Sequence, residues 1–236
     1  MAGNNFFQFK HFKIIQEKAA MKVGIDGVLL GAWADFDGEL RILDIGTGTG
    51  LLALMAAQRT AAFVDAVEVE PEAAEEARLN FTNSPWADKI TVHGLAFQEF
   101  EVDYKYDHII SNPPFFETTV KSGDEKRAKA RHADSLKLKD LLEKSIELLT
   151  DDGRISLILP AEKESRLREL ALGSKLFVTR CARVFSDETK QSHRILVELS
   201  FNQKVDYIES IYLRKSDTGV YTDQYRTLTR DYYLSF

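Results

Sequence analysis

From Arg41 to Phe201 the chain alternates short apolar runs with stretches whose apolar residues recur at helical spacing. The runs at 42–45, 63–69, 90–93, 106–111 and 155–159 predict buried strands. The stretches 51–58, 72–83, 136–149 and 162–172 predict helices; in the third, Leu138, Leu141, Leu142, Ile146 and Leu149 share one face. Asp151-Asp152-Gly153 reads as a turn and Pro160 as a strand stop. Two further β-rich stretches, 176–185 and 194–201, lie close enough in sequence to pair antiparallel. Strands alternating with helices predict an α/β fold, a doubly wound and mostly parallel sheet with helices on both faces. No repeat, low-complexity tract or linker interrupts the chain. Residues 1–236 therefore read as one domain, with an N-terminal cap (1–40), a sheet core (41–203) and a C-terminal segment (204–236). The glycine-punctuated segment 21–33 suits a cap or gate.

Composition adds mainly exclusions. The 236 residues are 44% hydrophobic and 29% charged, which does not favour disorder. A net charge of −6 is not that of a dedicated non-specific nucleic-acid binder, so any RNA contact needs a local basic patch. The one cysteine, Cys181, excludes an internal disulfide and a cysteine-ligated zinc, and reads as a small buried hydrophobe. No metal is expected. The first residues mix Phe6, Phe7, Phe9 and Phe12 with Lys10, His11 and Lys13, without the apolar core of a signal peptide. No apolar run approaches the roughly 20 residues of a membrane span. A cytoplasmic protein is expected, with a monomer favoured.

Two motifs carry chemistry. Asp44-Ile45-Gly46-Thr47-Gly48-Thr49-Gly50 follows the first predicted strand and opens a helix. Glycines let backbone approach a ligand, and the helix start offers unpaired N–H groups to a carboxylate. Asp44 is placed to meet an ammonium group. Glu68, near the end of the next strand beside Val69, is placed to accept from ribose hydroxyls. The spacing differs from the Gly-x-Gly-x-x-Gly of dinucleotide sites, and the set points to S-adenosylmethionine. Downstream lies Asn112-Pro113-Pro114-Phe115. An exocyclic amine is a poor nucleophile because its lone pair is delocalised. The Asn112 carboxamide oxygen and the Pro113 carbonyl can each accept one of its N–H bonds, while Phe115 stacks on the base. Consecutive prolines restrict the loop near its working shape.

Further motifs make the chain resemble the bacterial tRNA1(Val) (adenine-37-N6)-methyltransferases. These are Met21-Lys22-Val23-Gly24-Ile25-Asp26-Gly27-Val28-Leu29-Leu30-Gly31-Ala32-Trp33, Asn83-Ser84-Pro85-Trp86-Ala87, Asn112 to Phe116, and the tail 221–234. The resemblance spans nearly the whole chain. It implies a seven-stranded class I methyltransferase sheet whose last strand is antiparallel, and methylation of N6 of the adenine beside the anticodon of a valine tRNA. It further implies that Asp44, Gly46, Thr47, Gly48 and Gly50 line the methionine end of the cofactor, that Glu68 and Val69 lie at the ribose, and that Asn112 and Pro113 hold the target amine. Lys22, Asp26, Gly27 and Leu29 would close over the cofactor, Asp26 capping or bracing that turn. One departure stands out: Ala96 occupies the place where such enzymes often carry an acid for the cofactor's adenine, leaving the Phe97 N–H and Gln98 to serve.

Residues 121–139 hold Lys121, Arg127, Lys129 and Arg131 among other cations directly after the Asn-Pro-Pro loop. They read as a basic flap over an anticodon stem-loop, against the plainer reading of a solvated loop. His132 and His193 receive no catalytic role. Tyr207, Tyr212, Tyr221, Tyr225, Tyr232 and Tyr233 read as packed core rather than stacking platforms. Three alternatives stay open: N5-methylation of a protein glutamine, N6-adenine methylation of another nucleic acid, and a binding module without catalysis.

Overall fold

The computed structural model describes residues 5–19, 21–114, 136–203 and 207–236. The expected alternation is present, and its strands β3 (Arg41–Ile45), β4 (Phe63–Val67), β5 (Ile90–His93) and β6 (Tyr106–Ser111) pair in parallel in the order β6-β3-β4-β5. The sheet continues from β6 through β7 (Leu149–Pro160), β9 (Ser192–Ser200) and β8 (Phe177–Phe185). β9 runs antiparallel to both its neighbours. Among the described residues the sheet has eight strands, where seven were expected. The eighth, β10 (Tyr207–Tyr212), adds parallel to β8 beyond residue 203, where the sheet core was expected to end.

Strand residues alternate between two apolar layers, as the pleat requires. Ile42, Ile110 and Leu196 face one cluster; Leu43, Ile109 and Ile195 face the other. The first cluster takes α1 (Ile25–Trp33), α2 (Leu51–Arg59) and the buried side of α3 (Pro71–Thr82). The second takes α4 (Leu138–Leu148) and α5 (Glu164–Gly173). α3 begins on Pro71, whose fixed φ suits the first helical position. Of the expected stripe, Leu141 and Leu142 are buried on α4, Leu138 and Ile146 are half-buried, and Leu149 is buried as the first residue of β7; Leu148, outside that stripe, is buried as well. Among the described residues no helix is long and apolar enough to cross a membrane.

The N-terminal cap is a small hairpin, β1 (Phe6–Gln8) and β2 (Lys13–Ile15), leading into α1. It meets the C-terminal segment, which carries α6 (Asp223–Thr229). The Lys10 N–H donates to the Tyr232 carbonyl at 2.9 Å, and the Phe9 and Tyr233 rings stack at 6.0 Å. Tyr225 and Tyr232 are buried as expected, whereas Tyr207 on the outer strand is 62% exposed. Cys181 is buried on β8.

Candidate active site

Ile45 and Ser111 are the last residues of β3 and β6, and they pair directly in register. The next residues are Gly46 and Asn112, so the glycine turn and the Asn-Pro-Pro loop leave the sheet side by side. Ser111 strengthens this junction: its hydroxyl donates to the Ile45 carbonyl at 2.7 Å and is buried. Asn112 is half-buried, Pro113 buried and Pro114 exposed. Phe115 and the cations Lys121, Arg127, Lys129 and Arg131 lie outside the described residues.

The turn is tied to the end of β4. The N–H groups of Gly46 and Thr47 donate to the Val67 carbonyl at 2.8 and 3.1 Å. The Gly48 N–H donates to Glu68 Oε2 at 2.9 Å, and the Glu70 N–H to Oε1 at 3.0 Å. Each Glu68 oxygen keeps a second lone pair, so the carboxylate that shapes the turn can still accept from a diol. Gly46, Gly48 and Gly50 have φ of 68°, 54° and 87°, where L side chains are strained. A Cβ built at Gly46 or Gly48 meets nothing within 4 Å. Gly50 differs: its Cβ would strike the Phe81 ring at 2.3 Å, so this glycine serves packing on α3.

Asp44 is fully buried. Its Oδ2 accepts from Thr47 Oγ1 at 2.6 Å and from the Ala53 N–H at 3.1 Å, bracing the turn against α2. Its Oδ1 has no hydrogen-bond partner. Burial pushes the carboxyl up to about 7, although those two hydrogen bonds oppose the shift. A buried acceptor left in this state suits a cationic donor brought by a ligand. Together with the open approach at Gly46 and Gly48, it fits an amino-acid-bearing cofactor.

The segment 21–33 contains α1, which reaches this site. Gly27 sits where a Cβ would lie 4.0 Å from Asn112 Nδ2 and 2.8 Å from Leu51 Cδ2. Gly31, one turn on, makes similar room for Met55. The two glycines thus let α1 lie close against α2 and beside Asn112. Lys22 is exposed, Leu29 is buried within the core, and Asp26 Oδ2 accepts from Arg194 Nε at 2.8 Å. Val69 is 48% exposed just past Glu68. Ala96 precedes a single 3₁₀ turn, residues 97–99, and its carbonyl accepts from the Glu99 N–H; Phe97 is buried.

Several supporting residues were not anticipated from sequence. Glu76 on α3 accepts from the N–H groups of Glu17, Lys18 and Ala19. Asn80, one turn later, exchanges hydrogen bonds with Ile15 and donates to the Thr49 carbonyl. Two buried polar side chains thus fasten the N-terminal cap, and Asn80 joins it to the glycine turn. Their signal was a polar pair at i, i+4 on the face that carries Ala73 and Ala77.

The methyltransferase small domain model matches residues 29–173. A tRNA1(Val) (adenine(37)-N6)-methyltransferase of Parabacteroides distasonis is 42% identical over 234 residues, covering 98% of this chain and 99% of that one. Its counterpart in Trichodesmium erythraeum is 41% identical, covering 99% and 100%. Among solved structures, a "predicted O-methyltransferase" of Agrobacterium tumefaciens superposes with TM-score 0.68 at 19% identity, covering 88% of this chain and 96% of that one. A putative RNA methyltransferase of Pyrococcus horikoshii gives 0.55 at 22% identity, covering 78% and 86%. These structural likenesses show the class I methyltransferase fold. The sequence relatives show more: the chain belongs to the tRNA1(Val) (adenine(37)-N6)-methyltransferase family.

Proposed function

We propose that this chain transfers a methyl group from S-adenosylmethionine to the exocyclic N6 of an adenine in tRNA, at position 37 beside the anticodon of a valine tRNA. The observation that carries this reading is the Ile45–Ser111 rung, from which the glycine turn and the Asn112 loop leave together. When bound, the cofactor supplies an already activated sulfonium methyl, so the protein's work is orientation rather than strong base catalysis. Asp44, Gly46, Thr47 and Gly48 hold the amino-acid end, and Gly50 seats their turn against α3. Glu68 accepts from the ribose hydroxyls with Val69 alongside, and Ala96 with Phe97 borders the adenine. Lys22 and Gly27 close that side, with Asp26 as their brace and Leu29 packed behind them in the core.

The Asn112 carboxamide oxygen and the Pro113 carbonyl accept the two N–H bonds of the target amine, turning its lone pair toward the methyl. Pro114 stiffens the loop and Phe115 stacks on the base. Lys121, Arg127, Lys129 and Arg131 contact phosphates of the anticodon stem-loop, whose single-stranded base is cheaper to extrude than a paired one. The chain works as one domain in the cytoplasm.

Labelled S-adenosylmethionine and total tRNA from cells lacking the enzyme test this. Label is expected in N6-methyladenosine and is lost with Asn112→Ala. Intact cofactor binding with no label in tRNA overturns the acceptor and shifts it to a protein glutamine or another RNA.

A further inference from the structure

Because β9 runs antiparallel, its first residues lie at the same sheet edge as the glycine turn. Ser111 pairs with Leu157 on β7, and Arg194 pairs with Pro160, three residues further along that strand. At about 3.3 Å per residue, the Arg194 backbone stands roughly 10 Å beyond the rung from which the Asn112 loop departs. Its guanidinium spans the gap to α1. Nε donates to Asp26 Oδ2 at 2.8 Å, and Nη1 donates to the His193 carbonyl at 3.0 Å. That second bond holds the guanidinium to its own strand while the first grips the helix. Both charged side chains are about 30% exposed, so the pair is partly shielded from water.

Asp26 immediately precedes Gly27, the residue whose missing side chain brings α1 beside Asn112. The first turn of α1 has no side-chain cap at Gly24, and Asp26, which sits in that turn, reaches across to β9. The far end of α1 is fixed separately. Trp33 Nε1 donates to Glu209 at 2.8 Å, and Arg59 donates to the carbonyls of Gly31, Ala32 and Ala34. Arg194 therefore supplies the strap at the end of α1 that borders the acceptor loop.

We propose that Arg194 is a positioning residue for methyl transfer: through Asp26 it holds the first turn of α1 against Asn112 and so sets the wall of the acceptor pocket. The proposal rests on Asn112 being the group that holds the target amine. Loosening the strap leaves Asp44, the glycine turn and Glu68 in place, so it acts chiefly on kcat, with a smaller loss of cofactor affinity through the turn that carries Lys22 and Gly27.

The test uses the full chain with Arg194→Gln, Asp26→Asn, Arg194→Lys and the swap Asp26→Arg/Arg194→Asp. Each of Arg194→Gln and Asp26→Asn is expected to lower kcat on tRNA about tenfold, with KM for tRNA within about twofold and a rise in cofactor Kd smaller than the loss in kcat. Arg194→Lys keeps part of the activity because it keeps the charge. The swap recovers kcat to within about threefold, short of full rescue because a cation is disfavoured at a helix N-terminus. Single variants with wild-type kcat, losses carried by KM alone, or a swap no better than the singles overturn the proposal. Amide hydrogen exchange at residues 24–28 needs no acceptor and separates this claim from the choice of substrate. Faster exchange in the singles with recovery in the swap supports the strap even where tRNA is not methylated; unchanged exchange overturns it.

Discussion

Asp44 and Asp65 stand on neighbouring strands, one rung apart in the β3–β4 register, and both are buried. Their surroundings treat them oppositely. Asp65 Oδ1 lies 2.7 Å from His93 Nε2, and its Oδ2 accepts from the hydroxyls of Tyr104 and Tyr106. Burial alone would raise that carboxyl, but the hydrogen bonds from His93 and Tyr106 overcome it and hold it below the usual range. Asp44 has two donors on one oxygen and none on the other, and burial wins, raising it to about 7. One aspartate has its partners built in and serves the fold. The other has a coordination shell left incomplete, and it sits at the edge where we propose that the cofactor binds.

Substitutions at the two positions should separate binding from stability. Asp44→Ala removes the brace on Thr47 and Ala53 together with the unpartnered oxygen. Cofactor affinity, measured by calorimetry, is expected to drop about 100-fold, the loss of charge-assisted bonds worth roughly 3 kcal/mol. Asp65→Asn should leave affinity unchanged and cost about 2 kcal/mol in urea unfolding, because three donors then face an amide that cannot satisfy them all. Equal effects of both substitutions on affinity would erase the contrast.

Acidity offers a subtler comparison. A folded-state value near 7 against about 3.9 unfolded means that the native state holds the Asp44 proton more tightly. The stability that Asp44 confers is therefore greatest in acid, falls as pH rises from about 4 to 7, and is level above that. For Asp65 the sign reverses: its contribution is present above the unfolded value and is lost as pH falls through the lowered folded one. Asp44→Asn should thus gain on the wild type at pH 8 relative to pH 5 in cofactor-free unfolding; no change in that difference rejects the buried-acid account. The smallest expected effect concerns Ala96→Asp. Added to the adenine end it should tighten cofactor binding by about threefold, the worth of one exposed hydrogen bond. Ala96 also precedes the turn at 97–99, so a gain in melting temperature without a gain in affinity would mean that the new carboxylate caps that turn instead.

The strand-and-helix alternation of the core was legible because buried parallel strands read as continuous apolar runs. β5 and β6 match their predicted spans, and α3 and α4 differ by one or two residues at their ends. Asp151-Asp152-Gly153 misled, since β7 runs straight through it. The sheet absorbs the extra residues as a register shift opposite 106–108. β10 was missed because Tyr207 and Ile208 are exposed on an outer strand, which leaves no buried period to read. The Asn112 loop and the glycine turn were legible as motifs, and their adjacency followed from strand order. The ion pair of Asp26 with Arg194 was not, because nothing local brings residues so distant in sequence together. The same holds for the hold of Glu76 on the N-terminal cap.

The meeting of the two ends of the chain bears on how the molecule is made. Lys10 bonds to Tyr232, and the Tyr232 hydroxyl, buried, reaches toward the Gly31 carbonyl of α1 at 3.5 Å. During synthesis the hairpin and α1 precede the sheet, yet the aromatic surface that covers them follows it. A nascent chain can complete its parallel strands and glycine turn while α1 still lacks its lid. The wall beside Asn112 therefore gains its full packing late, after residues 225–236 have followed the parallel strands out of the ribosome.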